Sequence, residues 1–84
     1  MGSREKLLTQ ITEGRSDANI PFDDLCNLLL YFGFEVRARG SHHVFRKAGI
    51  AEKTNLQRDG SKAKPYQVRQ VRNVILKYRL GAED

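Results

Sequence analysis

Two adjacent histidines stand in the stretch RARGSHHVFRKAG, Arg37 to Gly49, among Arg37, Arg39, Arg46 and Lys47. Histidine titrates near neutral pH, so an imidazole held among cations suits proton transfer beside a phosphate. Neighbouring residues of a strand point to opposite faces, so His42 and His43 would serve different surroundings. The same divergence counts against a Ser41–His42 dyad, which also has no visible acid to orient the ring. It counts against a metal site too, because one cysteine, Cys26, and two diverging histidines do not converge on an ion. No cofactor is expected: Gly40 stands alone, and Gly60 lacks both the spacing and the Lys-Ser/Thr pair of a phosphate-binding loop. A second candidate lies in GSKAKP, where Lys62 and Lys64 precede a helix start and could hold a phosphate. On pattern alone an exposed strand histidine and a lysine-bearing loop both read as ordinary solvated surface.

The elements that would position these residues follow from the spacing of apolar side chains. SREKLLTQITEG predicts a short helix over residues 4–13, with Ser3 as N-cap and Gly14 as its stop. RSDAN reads as a polar loop. In PFDDLCNLLLYFG, Pro21, Asp23 and Asp24 suit a first helical turn, while Phe22, Leu25, Cys26, Leu29 and Phe32 recur at helical spacing up to Gly33. The period then drops to two. Phe34, Val36 and Ala38 alternate with Glu35, Arg37 and Arg39, as in a strand with one buried face. Gly40-Ser41 forms a turn, HHVFRK a second strand, Ala48-Gly49 another turn and EKTNLQ a third strand. RDGSKAKP reads as a basic loop. From Pro65 the segment PYQVRQVRNVILKYRL predicts a long helix with Val68, Val71, Val74, Ile75 and Tyr78 on one face, Arg69 opposite and Arg72 on the flank. Gly81 and an acidic tail follow. The expected fold is α+β, in the order α-α-β-β-β-α, with helices on one face of a three-stranded antiparallel meander.

Alternation assigns the histidines. Phe45 is the largest apolar residue of its strand and belongs on the helix side, taking Ser41 and His43 with it. His42, Val44 and Arg46 then share the open side with Glu35, Arg37 and Arg39, and with Lys53, Asn55 and Gln57 of the third strand. His43 is expected to be partly buried and hydrogen-bonded beside Phe45.

An 84-residue chain with 39% hydrophobic and 30% charged residues fits one small globular domain, residues 1–84. The single cysteine excludes an internal disulfide framework and, with no signal peptide or apolar run long enough for a bilayer, leads us to expect a cytoplasmic protein without membrane contact. The net charge of +5 is unevenly spread. Residues 1–33 hold three Lys/Arg against five Asp/Glu, and residues 34–84 hold twelve against five. A basic second part points to a polyanionic partner, nucleic acid first.

The order Phe32-Gly33-Phe34, basic strand, GSHHVF, strand, basic loop and KPYQVRQVRNVILKY resembles the HicA toxins, mRNA interferases of bacterial toxin-antitoxin systems. The resemblance covers about residues 21–79, and its sharpest motif is Gly40-Ser41-His42 followed by Phe45. Residues 4–13 extend beyond the shortest members, and NLQRDGSKAKPYQ lacks a Pro-x-His-like stretch often found there. The resemblance implies a double-stranded-RNA-binding-domain-like fold and endonucleolytic cleavage of mRNA. It makes His42 the active-site residue, the histidine that alternation puts on the open face. RNA brings its own nucleophile, the 2′-hydroxyl, so a neutral His42 would act as general base without metal, while Arg37, Arg39 and Arg46 favour the charge developing at phosphorus. Gly40, Ser41, Lys62 and Lys64 would complete the RNA-binding set. The proton donor to the leaving 5′-oxygen stays open among His42, His43, a lysine and water. A HicB-like antitoxin is the implied partner, with operator DNA bound only by the toxin-antitoxin pair. The alternatives are an RNA-binding module of the same fold without catalysis, and a protein-interaction domain for an acidic partner.

Overall fold

The computed structural model describes residues 2–81, so the acidic tail expected after Gly81 lies outside the described residues. Helix α1 (Ser3–Thr12) begins one residue earlier than expected, with Gly2 and not Ser3 at the N-cap, and Gly14 (φ +72°) turns the chain out of it. RSDAN is not a plain loop. It contains a 3-10 turn, Asp17–Asn19, whose Asp17 pairs with Arg72. Helix α2 (Phe22–Tyr31) has Pro21 at its N-cap and Asp23 and Asp24 in its first turn, where negative charge opposes the exposed amide dipoles. It buries Phe22, Leu25, Leu28 and Leu29.

Three strands follow at the expected places: β1 (Glu35–Arg39), β2 (His42–Arg46) and β3 (Thr54–Asp59), the last starting two residues later than EKTNLQ suggests. The basic stretch RDGSKAKP is a correction. It folds back as a tight hairpin, and Lys62–Ala63 forms a two-residue fourth strand, β4, paired antiparallel to Arg58 and Asp59. Gly60 (φ +64°) supplies the reversal. The strand is anchored on its other side by Ala63 N–H donating to the Ile20 carbonyl (2.9 Å) and Phe22 N–H to the Ser61 carbonyl (3.0 Å). The sheet is therefore a four-stranded antiparallel meander in the order β1-β2-β3-β4. Helix α3 (Pro65–Tyr78) opens with Lys64 at the N-cap and proline at its first position, and buries Val68, Val71, Val74 and Ile75.

The core lies between the helices and one sheet face. Phe45, Leu56 and Ala63 enter it from β2, β3 and β4, and Ile11 closes it from α1. Where β4 ends, the edge of β3 is covered by α3: buried Gln67 accepts the Gln57 backbone N–H through Oε1 at 2.8 Å. That bond satisfies a strand donor that would otherwise be unpaired. Strand β1 departs from expectation. All five of its residues are exposed, Val36 at 39%, because the helices cover the sheet from β2 onward and leave the edge strand uncovered on both faces. Among the described residues no helix is long and apolar enough to cross a membrane.

Candidate active site on the open sheet face

The hairpin β1–β2 turns through Gly40 and Ser41, and Gly40 takes φ +57° at the first central position of the turn. Glycine is needed there for its backbone freedom, since a Cβ would meet nothing within 4 Å. The turn fixes the register, so that Arg39 stands opposite His42 on β1 and Gln57 opposite His42 on β3. Directly opposite residues of antiparallel strands carry their side chains on one face with Cβ atoms about 4.5–5.5 Å apart. His42 is exposed, as alternation requires, and flanked by a guanidinium on one side and a carboxamide on the other.

His43 takes the other face. It is half-buried, with its ring edge-on to Phe22 at 5.1 Å between centroids and 74° between planes. Its Nδ1 is buried without a hydrogen-bond partner among the described residues, which corrects the expected hydrogen bond. Phe22 packs against it from α2, and Ala38 and Leu56 stand opposite it on the adjoining strands; none of the three carries a side-chain donor or acceptor. Cys26 is also half-buried, and burial first, then Asp23, pushes its thiol up to about 11, so at neutral pH it is protonated and a poor nucleophile.

Around His42 the predicted residues fall into two groups. Arg37, Arg39 and Arg46 line a shallow groove of about 360 Å³ with Glu35 and Lys53, and Val44 contributes apolar surface to it. None of these three arginines pairs with a carboxylate among the described residues, whereas Arg15, Arg58, Arg72 and Lys77 all do. Ser41 corrects the alternation: expected on the helix side, it sits exposed in the turn and forms the second group with Lys64, joined through open-face Gln57. Gln57 Nε2 donates to Ser41 Oγ at 3.3 Å, and Lys64 Nζ donates to Gln57 Oε1 at 3.2 Å. Lys62 stays apart: its backbone stands opposite Asp59 of β3 and bridges to Pro21, and its side chain makes no hydrogen bond to either group among the described residues.

Lys53 and Gln57 carry more of the site than their residue types suggest. Alternation puts both on the open face, but their roles depend on the register of β3 against β2, which the connection over residues 47–53 sets. Together the face offers an accessible imidazole, a bank of cations that form no ion pair among the described residues although Glu35 stands opposite Arg46, and a neutral amide that joins a hydroxyl and an ammonium. Such a face can bind an anionic polymer and move a proton beside one of its phosphates. No protein-family model, no curated protein and no solved structure matches the chain.

Proposed function

We propose that the chain is a metal-independent endoribonuclease of the mRNA-interferase kind, working in the cytoplasm with His42 as its general base. His42 takes the proton from a ribose 2′-hydroxyl, the 2′-oxygen attacks the adjacent phosphorus, and the bond from phosphorus to the 5′-oxygen breaks. The leaving 5′-oxygen takes its proton from solvent water, and the products are a cyclic phosphate and a 5′-hydroxyl. Arg37, Arg39 and Arg46 stabilise the charge gathering on the non-bridging oxygens. His43 takes no part, because its ring belongs to the opposite face of the sheet. The observation that carries this reading is the exposed His42 beside Arg39 and next to a groove whose arginines have no carboxylate partner among the described residues. The resemblance of Gly40-Ser41-His42 and its flanking elements to the HicA toxins supports it and adds a partner, a HicB-like antitoxin whose acidic surface would cover this face.

The test is cleavage of a long single-stranded RNA, with chelator present, by the native chain, His42→Ala and His43→Ala, each first checked for folding by circular dichroism. The native chain and His43→Ala cut, and His42→Ala loses at least about a hundredfold in rate. If His42→Ala cuts as fast as native, the general-base role is refuted. If no chain cuts, even in a translating extract, while all bind RNA, the face is a binding surface without catalysis.

A further inference from the structure

The residues Ser41, Gln57 and Lys64 come from a hairpin turn, the middle of β3 and the N-cap of α3, yet two hydrogen bonds join their side chains into one chain beside His42. Gln57 is its centre. Its carbonyl oxygen takes one of the three donors of the Lys64 ammonium, and its amide nitrogen donates to the Ser41 hydroxyl, which stays free to donate its own proton. Its backbone N–H is held independently by buried Gln67, so the residue is fixed from both ends. The Lys64 ammonium is part-buried, and its hydrogen bond goes to a neutral group. No carboxylate among the described residues offsets its charge, so two of its donors and its full charge are available to an anion.

We propose that Ser41 and Lys64 form a subsite for one backbone phosphate of single-stranded RNA next to His42, and that Gln57 is the positioning residue that holds both. This rests on the reading of the open face as an RNA-cleaving site and adds to it a second arm, on the side of His42 away from the arginine groove. The phosphate accepts from the Lys64 ammonium and from the Ser41 hydroxyl. The ribose on its flank is thereby placed with its 2′-hydroxyl toward the imidazole, where orientation alone contributes strongly to rate.

Two readouts test it, one of which needs no cleavage. Binding of a 2′-O-methyl RNA oligonucleotide, which has no nucleophilic hydroxyl, is followed by fluorescence anisotropy across a range of KCl concentrations. Each phosphate contact contributes about 0.7 to the slope of log K against log salt for a single strand. Lys64→Met therefore flattens the slope by about 0.7, while Lys64→Arg and the control Lys6→Met on α1 leave it at the native value. Gln57→Leu keeps the slope, because the ammonium remains, but weakens binding about fivefold by releasing it. In single-turnover cleavage Gln57→Leu slows the native rate by about tenfold or more. A native slope and affinity in Lys64→Met overturns the subsite even if the chain cleaves RNA. Native affinity and native rate in Gln57→Leu overturns the positioning role. A chain that never cleaves but loses slope with Lys64→Met defeats the nuclease reading and leaves the phosphate subsite standing.

Discussion

Removing the guanidinium of Arg72 should cost this small domain a large part of its stability without touching the open face. Arg72 reaches from α3 to the end of α1, where Nε donates to the Ile11 carbonyl at 2.6 Å, and to the 3-10 turn, where it forms an ion pair with Asp17. Both side chains of the pair are only 17% exposed, and the guanidinium lies against Gly14. Arg72→Met keeps the aliphatic packing and removes two charge-assisted hydrogen bonds, leaving the Asp17 carboxylate largely buried and alone. Breaking a fully buried pair from one side costs about 3–5 kcal/mol; the residual exposure here lets water recover part of it, so about 2–3 kcal/mol is expected. A chain of this length has about 4–12 kcal/mol in all, and each kcal/mol moves the midpoint by about 4–8 °C. The melting temperature should fall by roughly 10–20 °C. Urea unfolding followed by circular dichroism gives the free energy, with an unchanged slope confirming that the folded state is the same. Asp17→Asn in the same background should recover at least about 1 kcal/mol, since the stranded charge is gone. A loss under about 0.5 kcal/mol in Arg72→Met, or strict additivity with Asp17→Asn, would refute this account of the clamp.

Two further outcomes follow from particular contacts. Glu52 accepts from Lys77 Nζ at 2.8 Å and from Tyr78 Oη at 2.6 Å, and these bonds, the lysine first, lower its carboxyl from the ordinary 4.5 to about 2. A depressed carboxyl stabilises the fold above its unfolded value, so this tie is complete above about pH 4.5 and is lost as pH falls through about 2. Melting curves between pH 5 and 2 should therefore show a smaller drop for Glu52→Gln than for the native chain; equal drops would show that the tie does not stabilise the fold. Phe45 is fully buried among α2, α3 and the sheet. Phe45→Ala should cost about 3–5 kcal/mol in urea unfolding, and a cost near 1 would mean the strand does not face inward there.

The parts of the fold that depend on local spacing were legible in the sequence. Phe22, Leu25 and Leu29 mark α2, Val68 to Ile75 mark α3, and the change of period after Gly33 marks the sheet. What escaped depends on distant partners. Lys62–Ala63 carries no strand pattern of its own, being two residues long, and is a strand because Arg58, Asp59 and the Ile20 carbonyl receive it. Asp17 reads as loop polarity until Arg72 of α3 is brought against it. Val36 and Ala38 have the alternation of a buried face, but burial needs a covering layer, and the helices do not reach β1. In the same way Gln57 was legible as open-face, but not as the bridge between Ser41 and Lys64.

The choice between the two histidines turns on a single residue of phase. Every side chain of β2 changes face if its pairing slips by one, so burial of Phe45 and exposure of His42 are one fact about the hairpin. A slip would drive His42 toward Phe22 and push Phe45 into water, at a cost of about 1.5–3 kcal/mol for the phenyl ring alone. The two-residue Gly40–Ser41 turn forbids it from one end, and the Phe45–Thr54 pairing with β3 forbids it from the other. His43 adds its edge-on contact with Phe22 to that lock, against the cost of a buried Nδ1 with no hydrogen-bond partner among the described residues. Core packing on the helix side therefore fixes which face of the sheet carries the exposed His42 imidazole. A general base needs such a fixed placement.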